Sequence, residues 1–254
     1  MIVFENVSLS FGEKEVIRDL SFSAEFHEKI AVLGGSGEGK TTILKLILGL
    51  YRPDAGRILI NGTDITGLSE AELREIRMNF SIVFQEGALF DSLNVYENVA
   101  FCLREHSHLK EQEIEAEVRN LLKRVGIEEA IYLMPEELSG GMQRRVAIAR
   151  SLAACEPKMI LYDEPTTGLD PLTAETICDL INELSEGTPP DRKGFIAVTH
   201  KVTDAARIAE RFIFIKDGKI DFDGNLQEML STDNETLRHF IGELLLLREN
   251  NVRP

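Results

Sequence analysis

The 254-residue chain contains no tryptophan, only three cysteines and few aromatic side chains, 7% of the total. Cys102, Cys155 and Cys178 share no metal-ligand spacing, which argues against a zinc site or a disulfide framework; they read as reduced, small buried side chains. The five histidines are scattered, with His106 and His108 the one close pair. Positive charge is also in deficit, with 28 Lys and Arg against 43 Asp and Glu, for a net charge of −15. A protein that tracks a phosphate backbone carries a basic face, so nucleic acid is not the expected partner. No apolar run approaches the ~20 residues of a membrane span; the one near the end, Leu244 to Leu247, has four. The opening residues Ile2, Val3, Phe4 and Glu5 form no basic leader, so a cytoplasmic chain is expected.

The remaining composition is that of an ordinary globular protein, 43% hydrophobic and 28% charged. The length suits one large domain or a core with subdomains. No internal repeat is visible. Residues 2 to 26 alternate apolar and polar side chains, at Val7, Leu9 and Phe11 and then Ile17, Leu20 and Phe22, which predicts two strands. Further strands are expected at Lys29 to Leu33, Gly56 to Ile60, Phe80 to Phe84, Met159 to Asp163 and Phe195 to Thr199. Asn61-Gly62 marks a turn, and Asp217-Gly218 a hairpin between Phe212–Ile215 and Lys219–Phe222. Thr41 to Leu50 reads as a buried helix. Ser69 with Glu72 forms a capping box before a short one. Ile114, Val118, Leu121, Leu122 and Val125 recur at helical spacing, giving an amphipathic helix over Glu111 to Val125. Asp170 is placed to cap a helix that begins at Pro171. This order predicts a mainly parallel sheet wrapped by helices, with a small antiparallel piece and a helical region from Gly87 to about Ala154.

Between the strand at Lys29 and the helix at Thr41 lies Gly34-Gly35-Ser36-Gly37-Glu38-Gly39-Lys40-Thr41, a match to the phosphate-binding pattern G-x-x-x-x-G-K-[ST]. Its glycines let backbone N–H groups converge on phosphate oxygens, and the helix N-terminus adds its positive dipole end. Lys40 is expected to reach the β- and γ-phosphates and the Thr41 hydroxyl to ligate Mg²⁺, with Thr42 alongside. The apolar strand Met159 to Tyr162 ends in Asp163-Glu164. Asp163 can hold the metal through its water shell, and Glu164 can orient or deprotonate an attacking water.

Leu138-Ser139-Gly140-Gly141-Met142-Gln143 precedes an Arg- and Ala-rich helix. Taken alone it is a capped helix start or an anion site made from Ser139 and two glycines. It closely resembles the LSGGQ signature of ABC ATPases, and other family elements follow in order. Gln85 corresponds to the Q-loop glutamine, Gly168-Leu169-Asp170 to the D-loop and His200 to the switch histidine, while Phe11 sits where an aromatic ring meets adenine. The resemblance covers residues 2 to about 231. It implies an α/β P-loop NTPase of the ABC cassette type, with a parallel-sheet core, a small antiparallel β subdomain and a helical subdomain. The implied division is a catalytic core with its β subdomain at about 1–86 and 155–231, a helical signature subdomain at about 87–154, and a C-terminal helix or tail at 232–254. Two cassettes would pack head to tail, so that Ser139 and Gly141 of one chain touch the γ-phosphate held by Lys40 of the other; Asp170 would join the nucleotide-binding residues, and Gln85 would join Thr41 and Asp163 at the metal. Glu164, His200 and Gln85 would carry the catalysis.

A narrower resemblance concerns cargo. Gly87 to Leu93, Glu97 to Phe101, Leu103 to His106 and Leu133 to Leu138 look like the ATPases of Mla/Mce-type lipid transporters. That implies integral membrane permease subunits as partners, Mce-type lipid-binding subunits indirectly, and a place on the cytoplasmic face of the inner or plasma membrane. The alternatives are the ATPase of another ABC importer or exporter, an ABC ATPase outside transport, or a P-loop kinase or GTPase acting alone. Two departures stand out: Phe11 replaces the Tyr of many relatives, and Lys201 follows the switch histidine where Asp is common. The resemblance assigns no role to Thr188–Gly194 or to the residues beyond 231.

Overall fold

Strand β1 (Ile2–Phe11) pairs antiparallel with β2 (Lys14–Ala24) on one side and with β4 (Ala55–Ile60) on the other. Asn61 and Gly62, at φ 51° and 80°, turn β4 into the short β5 (Thr63–Asp64), as a two-residue hairpin with both central residues left-handed requires. This four-stranded antiparallel sheet is one layer of the computed structural model, which describes residues 1–153, 157–189 and 192–249. Cys155 and part of the Thr188–Gly194 loop lie outside those residues.

The second sheet has six strands. Four parallel neighbours are β3 (Lys29–Leu33), β8 (Gly194–Thr199), β7 (Met159–Asp163) and β6 (Phe80–Val83), in that spatial order. Beyond β3 come β9 (Arg211–Lys216), parallel to it, and β10 (Lys219–Asn225), antiparallel to β9 through the Asp217-Gly218 turn. Side chains alternate between the faces of this sheet. On β7, Met159 and Leu161 join the cluster shared with the antiparallel sheet, while Ile160 and Tyr162 join the cluster under the helices.

Ten α-helices cover the sheets: α1 (Lys40–Ile47), α2 (Glu70–Arg77), α3 (Val95–His106), α4 (Glu111–Arg124), α5 (Gly140–Ala153), α6 (Pro171–Leu184), α7 (Val202–Ile208), α8 (Leu226–Leu230), α9 (Glu235–Phe240) and α10 (Gly242–Glu249), counted among the described residues. The Ser69–Glu72 capping box and the Asp170 cap form as expected. The first predicted helix stops at Ile47 and does not reach Leu50. Gly49 takes φ 61°, and the bonds Gly49 N–H to Leu46 O and Leu50 N–H to Lys45 O close a Schellman motif. Gly126 ends α4 in the same way, which leaves Val125 as its cap. Helices α3, α4 and α5 pack against one another.

Candidate functional site

The order of the parallel strands assembles the site. The phosphate loop follows β3, His200 follows β8, Asp163 and Glu164 close β7, and Gln85 lies in the turn after β6. Four adjacent strands therefore deliver their functional residues to one sheet edge, where open α/β sheets hold ligands.

Within the loop, Gly39 caps α1 at φ 89°, and a Cβ there would stand 2.7 Å from Ile17 Cδ1 and 3.0 Å from the Val16 carbonyl oxygen. A Cβ on Gly34 would meet the Ile215 carbonyl oxygen at 2.7 Å. The curl of the loop is thus wedged between β2 and β9. Gly39→Ala is expected to cost about 1–3 kcal/mol through left-handed strain alone, besides the collision, and to weaken ATP binding; thermal unfolding and nucleotide titration check both effects. Lys40, almost fully buried, donates from Nζ to the carbonyls of Gly34 at 3.0 Å and Gly35 at 2.9 Å, and stands 3.6 Å from Glu164 Oε1.

Thr41 donates its hydroxyl to Asp163 Oδ1 at 2.8 Å. Burial raises the Asp163 carboxyl above its ordinary pKa, opposed in part by this bond. The two oxygen donors, with the Gln85 amide in the same cavity, are the hard ligands that Mg²⁺ prefers. Glu164 adopts φ 48°, a left-handed conformation that is uncommon for a residue with a side chain and concentrates at functional sites. Its Oε2 accepts from Thr167 Oγ1 at 2.9 Å and Thr199 Oγ1 at 3.0 Å. His200 Nδ1 lies 3.0 Å from the same oxygen. Burial pushes the Glu164 carboxyl up, but hydrogen bonds from His200 and Thr167, with the attraction of His200 and Lys40, outweigh it and leave the group below the ordinary carboxylate range. Glu164 is therefore a carboxylate at neutral pH, held in place by three partners.

Lys40, Thr41, Glu164, Thr167 and His200 line a cavity of about 860 Å³, and Asp163 and Thr199 lie behind that wall, bonded to Thr41 and Glu164. Its wall includes Gly35, Ser36, Gly37, Gly39, Lys40, Thr41, Thr42, Gln85, Glu164 and His200, and Phe11 stands at its rim. The Phe11 ring is 45% exposed and braced edge-on by Tyr51, with centroids 5.2 Å apart, so one face is free to stack on a base. Gly34 contributes its carbonyl to Lys40 and no wall surface. Glu38 does not belong to the wall: its carboxylate accepts from the Asp217 amide at 2.6 Å and pairs with Lys216 at 3.4 Å. The glycine pattern gave no means to separate loop backbone from loop side chain.

Ser139, Gly141 and Asp170 do not line the cavity. Ser139 Oγ accepts from Met142 N–H at 3.3 Å as a helix cap, and Asp170 Oδ1 accepts from Thr173 N–H at 3.1 Å. Gly141 is buried, with Thr173 Cγ2 2.5 Å from where its Cβ would be. The cavity of one chain is thus built without the signature segment. Sequence reasoning missed Lys14, Val16, Thr167 and Phe240, which complete the wall, and Thr199 behind Glu164. Thr167 and Thr199 are neighbours of recognised motifs and could have been suspected, whereas Phe240 had no local signal. Lys201, the departure noted after His200, donates to the Thr166 carbonyl at 2.9 Å and lies 3.8 Å from Asp204, so it is engaged away from the cavity.

Comparison with known proteins follows the same lines. The family model described as "ABC transporter" matches residues 17–167. The chain is 39% identical over 241 residues to the intermembrane phospholipid transport system ATP-binding protein MlaF of Haemophilus influenzae, covering 95% of this chain and 90% of that protein. It is 40% identical over 253 residues to the chloroplastic protein trigalactosyldiacylglycerol 3 of Arabidopsis thaliana, covering 94% of this chain and 73% of that one. Among solved structures it resembles the dimeric ATP-binding cassette MJ0796 in a post-hydrolysis state with ADP and Pi. The TM-score is 0.80 and the identity 33%, over 89% of this chain and 99% of that one.

Proposed function

The chain belongs to the ABC transporter family, and from that premise we propose that it is the ATP-hydrolysing subunit of a membrane complex that moves phospholipid or a related lipid. The observation that carries the hydrolytic part is the convergence of Lys40, Thr41, Gln85, Glu164 and His200 on one cavity from four separate stretches of chain, with Asp163 bonded to Thr41 behind it. The lipid part rests on likeness to MlaF and to the chloroplast protein.

In this reading Phe11 stacks on adenine and the loop amides hold the phosphates. Lys40 turns its ammonium from the loop carbonyls to the β- and γ-phosphates. Thr41, Gln85 and, through water, Asp163 would hold Mg²⁺, which supplies charge neutralisation of the phosphate oxygens. Glu164 draws the proton of the attacking water, and His200 fixes that carboxylate from the far side. Ser139 and Gly141, absent from the wall, serve the site of a second copy packed head to tail. The resulting homodimer sits on the cytoplasmic face of a membrane through permease subunits, with Mce-type lipid-binding subunits further along the path. No helix among the described residues is long and apolar enough to cross a membrane.

The segment after Gln85 is the proposed docking loop. Arg144 and Arg150 of α5 donate to the carbonyls of Phe84, Gly87 and Ala88 at 2.7–2.9 Å. Asn98, fully buried, bonds the N–H and C=O of Phe90. The loop is thus fastened to the signature helix, so a shift at Gln85 is transmitted to both. Phe90 is 44% exposed and Phe101 43%, with rings 5.1 Å apart, forming an apolar spot beside the loop. Purification in mild detergent is expected to recover integral membrane proteins, and reconstitution with them to give ATP-dependent movement of labelled phospholipid. Phe90→Ser is expected to abolish that recovery while lowering stability by about 1 kcal/mol, a melting shift of about 2–4 °C. Recovery of ribosomes or DNA, or undiminished capture of the membrane partner by the variant, overturns the docking assignment.

A further inference from the structure

Past residue 231 the sequence suggests only a helix or tail, yet α9 and α10 build a third apolar cluster. Leu237, Ile241 and Leu244 are buried there against Leu33, Ala205 and Phe214. Leu33 is the last residue of β3, one before the phosphate loop, and Ala205 lies on α7, which starts two residues after His200. The tail is therefore fastened to the elements that carry the loop and the histidine.

Phe240 is the tail residue that reaches the site. Its ring packs on Phe214 with centroids 4.9 Å apart and lines the nucleotide cavity together with Lys40, Glu164 and His200. A second cavity of about 550 Å³ adjoins, walled in part by Leu169 and Pro171. His200 and Phe240 are the lining residues common to both cavities, so these two side chains form the partition between them. The Glu164 carboxylate grips one nitrogen of the His200 ring, but the side chain is 49% exposed, so a single polar tether leaves the ring plane to be set by packing. Phe240 is the aromatic ring in the same partition, and Phe214 braces it.

We propose that Phe240 is a positioning residue for ATP hydrolysis: it closes the nucleotide cavity from the C-terminal side and holds the His200 imidazole in the rotamer that bonds Glu164. The assignment rests on the reading of Glu164 and His200 as a catalytic pair. It predicts that the tail affects turnover more than nucleotide affinity, because the lining residue that Phe240 accompanies in both cavities is His200 and not the phosphate loop or Phe11.

The test uses the full chain with Phe240→Ala. Hydrolysis is expected to fall about tenfold in kcat with KM for ATP little changed, as for a misplaced catalytic group, and Phe240→Leu is expected to restore it. The chain has five histidines, so labelled-imidazole NMR resolves the ring directly, and the signal missing from His200→Ala identifies it. That signal is expected to move in Phe240→Ala, as is that of the adjacent His239, while those of His27, His106 and His108 stay. If the alanine chain is unstable, Phe240→Gln, which puts a polar tip against the imidazole, carries the same expectation of slow turnover and a displaced signal. An unmoved His200 signal with parental kcat overturns the proposal, as does a raised KM with kcat preserved. Wild-type hydrolysis by His200→Ala would instead sink the underlying catalytic reading, which keeps the two failures distinct.

Discussion

Glu164→Gln is expected to slow ATP hydrolysis by about 10²–10⁴-fold, the contribution of a positioned general base. The amide has the shape of the carboxylate and can still accept one of the hydrogen bonds that Thr167, Thr199 and His200 now make to it. It loses the basicity that draws a proton from water. In the proposed reading nucleotide contacts come from the loop amides, Lys40 and Phe11; the change neutralises the charge 3.6 Å from Lys40, which keeps its bonds to the Gly34 and Gly35 carbonyls, so affinity for ATP should stay within about threefold of the parent, the pattern of an interaction made in the transition state. With turnover stopped, bound ATP should hold two chains together. Phosphate release, equilibrium nucleotide titration and light scattering with ATP measure the three effects. Hydrolysis at the parental rate would remove Glu164 from the catalytic role.

Two dead chains are expected to make a live enzyme. Lys40→Ala removes a buried ammonium from the phosphate loop and should abolish hydrolysis by weakening ATP binding. Ser139→Arg leaves that loop intact and blocks the signature; loss of the Ser139 cap on α5 costs only about 1 kcal/mol, so the chain should still fold. Each variant alone makes two defective sites per dimer. A mixed dimer has one site with both lesions and one with neither, so mixing should recover a large fraction of the activity of one site per heterodimer. Hydrolysis by the parent chain should also rise more steeply than linearly with protein concentration if, as proposed, the active species is a dimer. Strict linearity together with no rescue on mixing would place the whole site within one chain, against the separation of Ser139 and Gly141 from the cavity wall.

Much of this site was legible because its chemistry is local. A glycine-rich loop between a strand and a helix, an apolar strand ending in two carboxylates, and Ser or Asp at helix starts are each set by a few consecutive residues. Their φ values, caps and alternation depend on near neighbours, and they came out as read, with the helix at Thr41 overextended by three residues past Ile47. Even that error was local, since Gly49 marked the true stop. The direction of the Glu38 side chain and the place of Phe240 were not legible for another reason: where a side chain points depends on what packs beside it. Glu38 turns to the β9–β10 turn about 180 residues away in sequence, and Phe240 is drawn to the cavity by Phe214.

By itself the sequence determined the elements, the loop conformation and the kind of chemistry, because hydrophobic period, glycine φ and capping act over a turn of helix or a few residues of strand. It did not determine that β8 lies between β3 and β7, which brings Lys40, Glu164 and His200 within reach of one another. Nor did it determine that the signature segment stays out of its own chain's cavity, or that Phe240 of the C-terminal α9 joins the wall. Those outcomes were decided by tertiary packing. Strand order is the arrangement that buries both faces of the sheet at once, under the antiparallel layer on one side and the helices on the other, and that burial is a property of the whole chain that no short stretch encodes.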